Sequence, residues 1–237
     1  MEIRCEKLRA AYEDNIVFDD LSVNFAVKSV NTIIGPSGSG KSTLLRLLAA
    51  LEDPQAGTIY YDSKPHTELH PYEIRSQVGL IFQKPTIFEG TVYDNLVFGF
   101  KIRKKSYSRD EIIKVLQQVD IPVKYLDKTG NELSIGEQQR ICIVRSLLLD
   151  PEAILLDEPV SALDPQRANK VLKLIRSLKT DFGKTVIMVS HNMNDALSVS
   201  DRIFFIWEGT IVYEGSPEGI QESDNSIIKR FMAGEYE

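Results

Sequence analysis

The sequence has little that would tie it to an oxidising compartment, a lipid bilayer or nucleic acid. Its two cysteines, Cys5 and Cys142, are too few for a disulfide framework and match no zinc spacing, so reduced thiols in a cytosolic protein are expected. The N-terminal stretch MEIRCEKLRAAYEDN lacks the apolar core of a signal peptide. The longest apolar stretches, LLRLLAAL and RIFFIW, fall far short of the roughly 18–20 residues a membrane span needs. Any membrane contact is therefore expected through another protein. Basic residues are outnumbered, 28 against 34 acidic, giving a net charge of −6. Phosphate neutralisation supplies most of the affinity of nucleic-acid binders, so that class is disfavoured except through a local basic patch. No repeat or low-complexity tract occurs, and no sustained heptads lie between Gln83 and Leu133, which excludes a long coiled-coil insertion.

What the chain does hold is material for one core: 237 residues, 43% hydrophobic. The first part alternates as strands do, in EIRCEKLRAAY, IVFDDLSVNFAV and GTIYYDS. VNTIIG reads as a short buried strand, and STLLRLLAAL as a helix stopped by EDPQAG. From about Pro85 to Asp150 the pattern is mostly helical, with TVYDNLVFGF, SRDEIIKVLQQVD opening on a serine cap, and GEQQRICIVRSLLLD. Thereafter strand and helix alternate: AILLD, PQRANKVLKLIRSLKTDF, KTVIMVS, NMNDALSVS, and a closing hairpin of RIFFIW with TIVYEG. This order predicts an α/β fold: a mostly parallel, helix-covered sheet, a small antiparallel sheet, and a helical insertion. The expected division is a core of about 1–84 and 151–237 with a helical subdomain of about 85–150. The basic stretch KIRKKSYSR (101–109) reads as a solvated linker.

IIGPSGSGKSTLL places Gly35, four residues, then Gly40, Lys41 and Ser42 between a strand and a helix: the phosphate-loop pattern of P-loop NTPases. Its glycines let backbone N–H groups turn inward around a phosphate chain, and the helix that follows adds its positive end. The expected nucleotide contacts run through Gly35, Pro36, Ser37, Gly38, Ser39, Gly40, Lys41, Ser42 and Thr43. Lys41 would reach the β- and γ-phosphates, and the Ser42 hydroxyl would hold Mg²⁺.

Such an enzyme needs a metal-holding carboxylate at the end of a neighbouring strand, and AILLDEP supplies Asp157. Glu158, next to it, can orient or deprotonate an attacking water. Gln83 follows VGLIF and His191 follows TVIMVS, both at strand ends, where open parallel sheets bind ligands. Gln83 is a candidate for sensing Mg²⁺ or water, and His191 for the γ-phosphate; as isolated residues both also fit solvated surface groups. Tyr12 is a candidate base-stacking ring or a half-buried core tyrosine.

LSIGEQQR (133–140) resembles a second anion-binding helix start, with Ser134 as cap and Gly136 allowing close approach. One helix N-terminus contributes only about 0.3–1 kcal/mol toward an anion, so it cannot be a nucleotide site alone. It makes sense if it closes over a nucleotide already held by another copy, supplying dipoles that arrive late.

GPSGSGKST, Gln83, LSIGEQQR, AILLDEP, SALD (161–164) and His191, in that order and over essentially the whole chain, resemble the ATP-binding-cassette (ABC) ATPases that drive transporters. The resemblance implies a head-to-tail pair of ATPase subunits with two ATP molecules between them, each with Mg²⁺. It matches Tyr12 to the adenine-stacking aromatic and Gln83 to the glutamine linking the metal to the membrane partner. Ser134, Gly136 and Glu137 fall in the signature, Glu158 at the catalytic base, Asp164 in a dimer-contacting loop and His191 at the switch histidine. Ile135 departs from the family, which usually has glycine there. VGLIFQKP and SHNMNDALSVSDR are similar to phosphate-importer ATPases, whereas GTVYDNLVFGFKIR resembles a group assigned to metal (iron) export. The implied partners are a second ATPase subunit, membrane permease subunits and, for an importer, a solute-binding protein, with no nucleic acid. The implied location is cytoplasmic, peripheral on the inner face of the cell membrane through the permease. A DNA-maintenance ATPase with the same head motifs, and a non-hydrolysing binding module, are the competing classes.

Overall fold

The computed structural model describes residues 1–13 and 15–235. In chain order, β1 (Ile3–Tyr12) and β2 (Asn15–Phe25) precede β3 (Val30–Ile34) and α1 (Lys41–Leu48). Then come β4 (Ala56–Tyr61), β5 (Lys64–Pro65), α2 (Pro71–Gln77) and β6 (Val78–Ile81). Three helices follow: α3 (Val92–Arg103), α4 (Arg109–Gln118) and α5 (Ile135–Leu147). The remainder is β7 (Ala153–Asp157), α6 (Pro165–Thr180), β8 (Thr185–Ser190), α7 (Met193–Val199), β9 (Arg202–Trp207), β10 (Thr210–Gly215), α8 (Pro217–Gln221) and α9 (Ser226–Ala233).

These strands make the two sheets that the alternation of elements predicts. One has the order β2-β1-β4-β5 and is antiparallel throughout. The other runs β10-β9-β3-β8-β7-β6, parallel except for β10 at its edge. Side-chain alternation decides what each face meets. On β7 and β8, Leu155, Ile187 and Val189 pack toward α1 and the antiparallel sheet. Their neighbours Ile154, Leu156, Val186 and Met188 join the core formed with α3, α5 and α6. Leu44, Leu45, Leu47 and Leu48 of α1 are buried between the two sheets. At about 2 kcal/mol for each buried leucine, this packing anchors the start of α1, and with it the loop before it.

Parallel register then brings four strand ends together. Ile34 pairs with Ser190, Val189 with Asp157, and Leu156 with Ile81. The residues that follow β3, β8, β7 and β6 therefore emerge side by side.

Three features depart from the sequence reading. α2 is a helix where none is expected: His70 caps it, Pro71 sits at its first position, and Ile74 is its single buried residue. Two short helices, α8 and α9, follow the hairpin; Phe231 of α9 packs edge-on against Phe205, with ring centroids 4.9 Å apart. The basic stretch 101–109 is only partly a linker. A capping box of Thr91 and Asp94 starts α3, which runs on to Arg103. The Arg103 guanidinium donates to the carbonyls of Ser76 and Arg75, 3.3 and 3.2 Å away, satisfying the end of α2. Lys104 and Lys105 are exposed beyond it.

Candidate functional site

The loop after β3 is built around its lysine. Lys41 is buried, and its Nζ donates to the carbonyls of Gly35 (2.9 Å) and Pro36 (2.6 Å) and to Ser39 Oγ (3.4 Å). Burial lowers its pKa, opposed by the charges of Glu158 and Asp157. Two glycines are sterically required. A Cβ on Gly35 would lie 2.2 Å from the Ile206 carbonyl oxygen. Gly40 caps α1 with φ 93°, and a Cβ there would lie 2.6 Å from both Phe18 and Val17.

Beside this loop lies a cleft of about 260 Å³ whose lining includes Tyr12, Ser37, Gly38, Gly40, Lys41, Ser42, Thr43 and Glu158. Asn15 and Val17 of β2 line it as well; no sequence signal marks them. Tyr12 is 44% exposed, so its ring is not a core side chain. Its hydroxyl donates to Glu52, which also pairs with Arg46 at 2.9 Å, and this holds the ring at the cleft edge.

Across the loop, Ser42 Oγ donates to Asp157 Oδ1 at 2.9 Å. Burial pushes the Asp157 carboxyl up, and the Ser42 hydrogen bond opposes it. A hydroxyl and a carboxylate oxygen in contact are the hard donors that Mg²⁺ prefers, so the pair fits that ion.

Glu158, Gln83 and His191 converge. Glu158 Oε2 lies 3.0 Å from Gln83 Nε2 and 3.1 Å from His191 Nδ1. A carboxylate only accepts, so the amide presents its NH₂ group and the imidazole its Nδ1–H. Gln83 thus engages Glu158 and Ser161, not the Ser42–Asp157 pair expected for a metal ligand.

The segment 134–140 is elsewhere: none of its residues lines this cleft. Ser134 and Glu137 form a capping box at the start of α5, and Glu137 also accepts from the Tyr125 hydroxyl. Partial burial pushes the Glu137 carboxyl up, but the hydrogen bonds from Tyr125 and Ser134 win and hold it at about 2. Its carboxylate is therefore engaged within its own helix start. Gly136 is buried, with Arg167 and Leu163 close to the space a Cβ would take, whereas Ile135 is 52% exposed. Asp164 caps α6 through the Arg167 N–H, 3.0 Å away.

The family described as ABC transporter matches residues 18–161. The chain belongs to the ABC transporter ATPase family. It is 35% identical to the phosphate import ATP-binding protein PstB of Thermotoga maritima, over 98% of this chain and 97% of that one. It is equally 35% identical to the spermidine/putrescine import ATP-binding protein PotA of Acetivibrio thermocellus, over 97% of this chain and 66% of that one. Among solved structures, cbiO1 from Clostridium perfringens, part of the ABC transporter complex cbiONQ, superposes with a TM-score of 0.85. The two are 27% identical, over 96% of this chain and 93% of that one. A dimeric ATP-binding cassette in a post-hydrolysis state, bound to ADP and Pi, gives 0.79 at 27% identity, over 91% and 98%. The fold is the P-loop ABC ATPase fold, and the protein is an ABC ATPase. No helix of the described residues is long and apolar enough to cross a membrane.

Proposed function

We propose that this ABC ATPase binds ATP between its own phosphate loop and the 134–140 helix start of a second subunit, and hydrolyses it to drive a solute through a separate permease. The observation that carries the proposal is the convergence of Glu158, His191 and Gln83 beside the loop, with 134–140 outside the same cleft. One half of an ATP site is thus assembled within the chain, and 134–140 lies outside it.

In this reading the loop amides, Lys41 and Ser42 hold the phosphates, and Tyr12 stacks on the base. Ser42 and Asp157 would hold Mg²⁺, with Gln83 reaching it only after leaving its present partners; the ion neutralises charge on the transferring phosphoryl group. Glu158 orients the attacking water and takes its proton. Nδ1–H of His191 donates to Glu158, so in the imidazolium form Nε2–H is the donor left for a γ-phosphate oxygen. The core of 1–84 and 151–237 carries the loop, and the 85–150 insert carries the opposing helix start.

The permease contact is a groove of about 500 Å³ beside β6, with exposed Phe82, Phe88, Phe98 and Ile102 on its walls. Lys84, Arg103 and Arg145 line it and, among the described residues, no carboxylate does, in a chain of net charge −6. It suits an amphipathic segment of a cytoplasmic permease loop. Phosphate import is the preferred solute assignment, on the PstB likeness and on VGLIFQKP; metal export, on GTVYDNLVFGFKIR, is the alternative. The test is detergent co-purification with a multi-span membrane protein. Wild type is expected to be retained and Ile102→Glu lost, with ATP binding intact, because Ile102 is 63% exposed and free to change. Association only with soluble proteins, or full retention of the glutamate variant, contradicts the proposal.

A further inference from the structure

The backbone at Glu158 is unusual. Its φ is +44°, in the left-handed region that a side chain with a Cβ adopts at a cost of about 1–3 kcal/mol. Something must hold it there. The Glu158 N–H donates to the Val189 carbonyl at 3.1 Å, fixing the residue from the β8 side. On the other side its carbonyl accepts twice from Ser161, from the N–H at 3.3 Å and from Oγ at 3.1 Å. The Ser161 hydroxyl is also an acceptor, for Gln83 Nε2 at 3.2 Å, while the same nitrogen donates to Glu158 Oε2 at 3.0 Å. The circuit closes: Gln83 touches the carboxylate directly and reaches the carbonyl of the same residue through one hydroxyl.

We propose that Ser161 is a positioning residue for hydrolysis: its hydroxyl holds the left-handed backbone of Glu158 and the amide of Gln83 in one hydrogen-bonded ring. This rests on Glu158 and Gln83 acting as described above. A serine is the smallest side chain that donates to one group and accepts from another at once. Without the hydroxyl, the Glu158 carbonyl keeps only its bond from the Ser161 N–H, and the Gln83 amide keeps only the carboxylate. Gln83 directly follows the strand and Phe82 that border the permease groove, so the ring also joins that surface to the carboxylate.

The test is steady-state ATPase kinetics of Ser161→Ala, Ser161→Thr, Gln83→Ala and the Ser161→Ala/Gln83→Ala double variant. Ser161 is exposed, so each change at 161 should leave the melting temperature close to wild type. The alanine variant is expected to lose about tenfold in kcat with KM for ATP unchanged, as for an interaction felt at the reacting step. Threonine, which keeps the hydroxyl, should restore most of the rate. The double variant should be no worse than Gln83→Ala alone, because both changes open one ring. A wild-type rate in Ser161→Ala, failure of threonine to rescue, or additive losses in the double variant each overturn the assignment. Absence of ATPase activity in the wild-type chain would instead overturn the hydrolytic reading on which it rests.

Discussion

Replacing Glu158 by glutamine is expected to lower ATP turnover by about 10²–10⁴-fold while ATP affinity stays within about threefold of wild type. The change removes a carboxylate that both touches His191 and lines the phosphate-loop cleft, and it barely alters volume. A neutral amide cannot accept the proton of an attacking water. Its oxygen can still accept from both Gln83 and His191, which share one carboxylate oxygen, so the cleft stays folded. With binding intact and the chemical step blocked, ATP should hold two subunits together, and size exclusion with ATP and Mg²⁺ should show the variant as a dimer. Wild-type turnover, or a strictly monomeric variant with saturating ATP confirmed by calorimetry, contradicts the assignment.

Lys41→Ala is expected to cost about a hundredfold or more in ATP affinity. The ammonium is buried and held by the carbonyls of Gly35 and Pro36, so it is positioned before any phosphate arrives. Charge-assisted hydrogen bonds of this kind contribute about 1.5–3 kcal/mol each, and the amine has donors for more than one phosphate oxygen. Its loss also removes the nearby positive charge that offsets Asp157 and Glu158, which then repel the phosphates more strongly. AMP, which lacks the β- and γ-phosphates, should lose far less. Calorimetry on both nucleotides reads the effect; unchanged ATP affinity contradicts the phosphate loop as the site.

Much of this site was legible in the sequence because its parts are short and contiguous. GPSGSGKST and AILLDE each carry their chemistry within a few residues, and each sits at the end of an apolar strand whose register places it beside the others. The element order likewise exposed both sheets. What escaped depends on contacts between distant segments. Nothing in the sequence marks Ser161 as the bridge between Gln83 and the Glu158 carbonyl, 78 residues from the first and three from the second. The bond from the Tyr125 hydroxyl to the Glu137 carboxylate likewise appears only once the fold brings the two segments together. α2 buries one residue and α9 two, too few for a helical period to stand out. The helix running into KIRKK was masked by its charge, since those side chains read as solvent-facing whatever the backbone does.

Two inactive chains that cure each other test the composite site most directly. Lys41→Ala should not hold ATP. Ile135→Asp places an acid at the exposed first position of α5, where it favours the helix by about 0.3–1 kcal/mol yet repels a neighbour's phosphates. Each alone should be inactive. Mixed in equal amounts, half of the dimers pair an intact phosphate loop with an intact helix start at one of two sites, so about a quarter of wild-type turnover should return. Turnover no greater than the sum of the separate variants would contradict the claim that each ATP site is built from two chains.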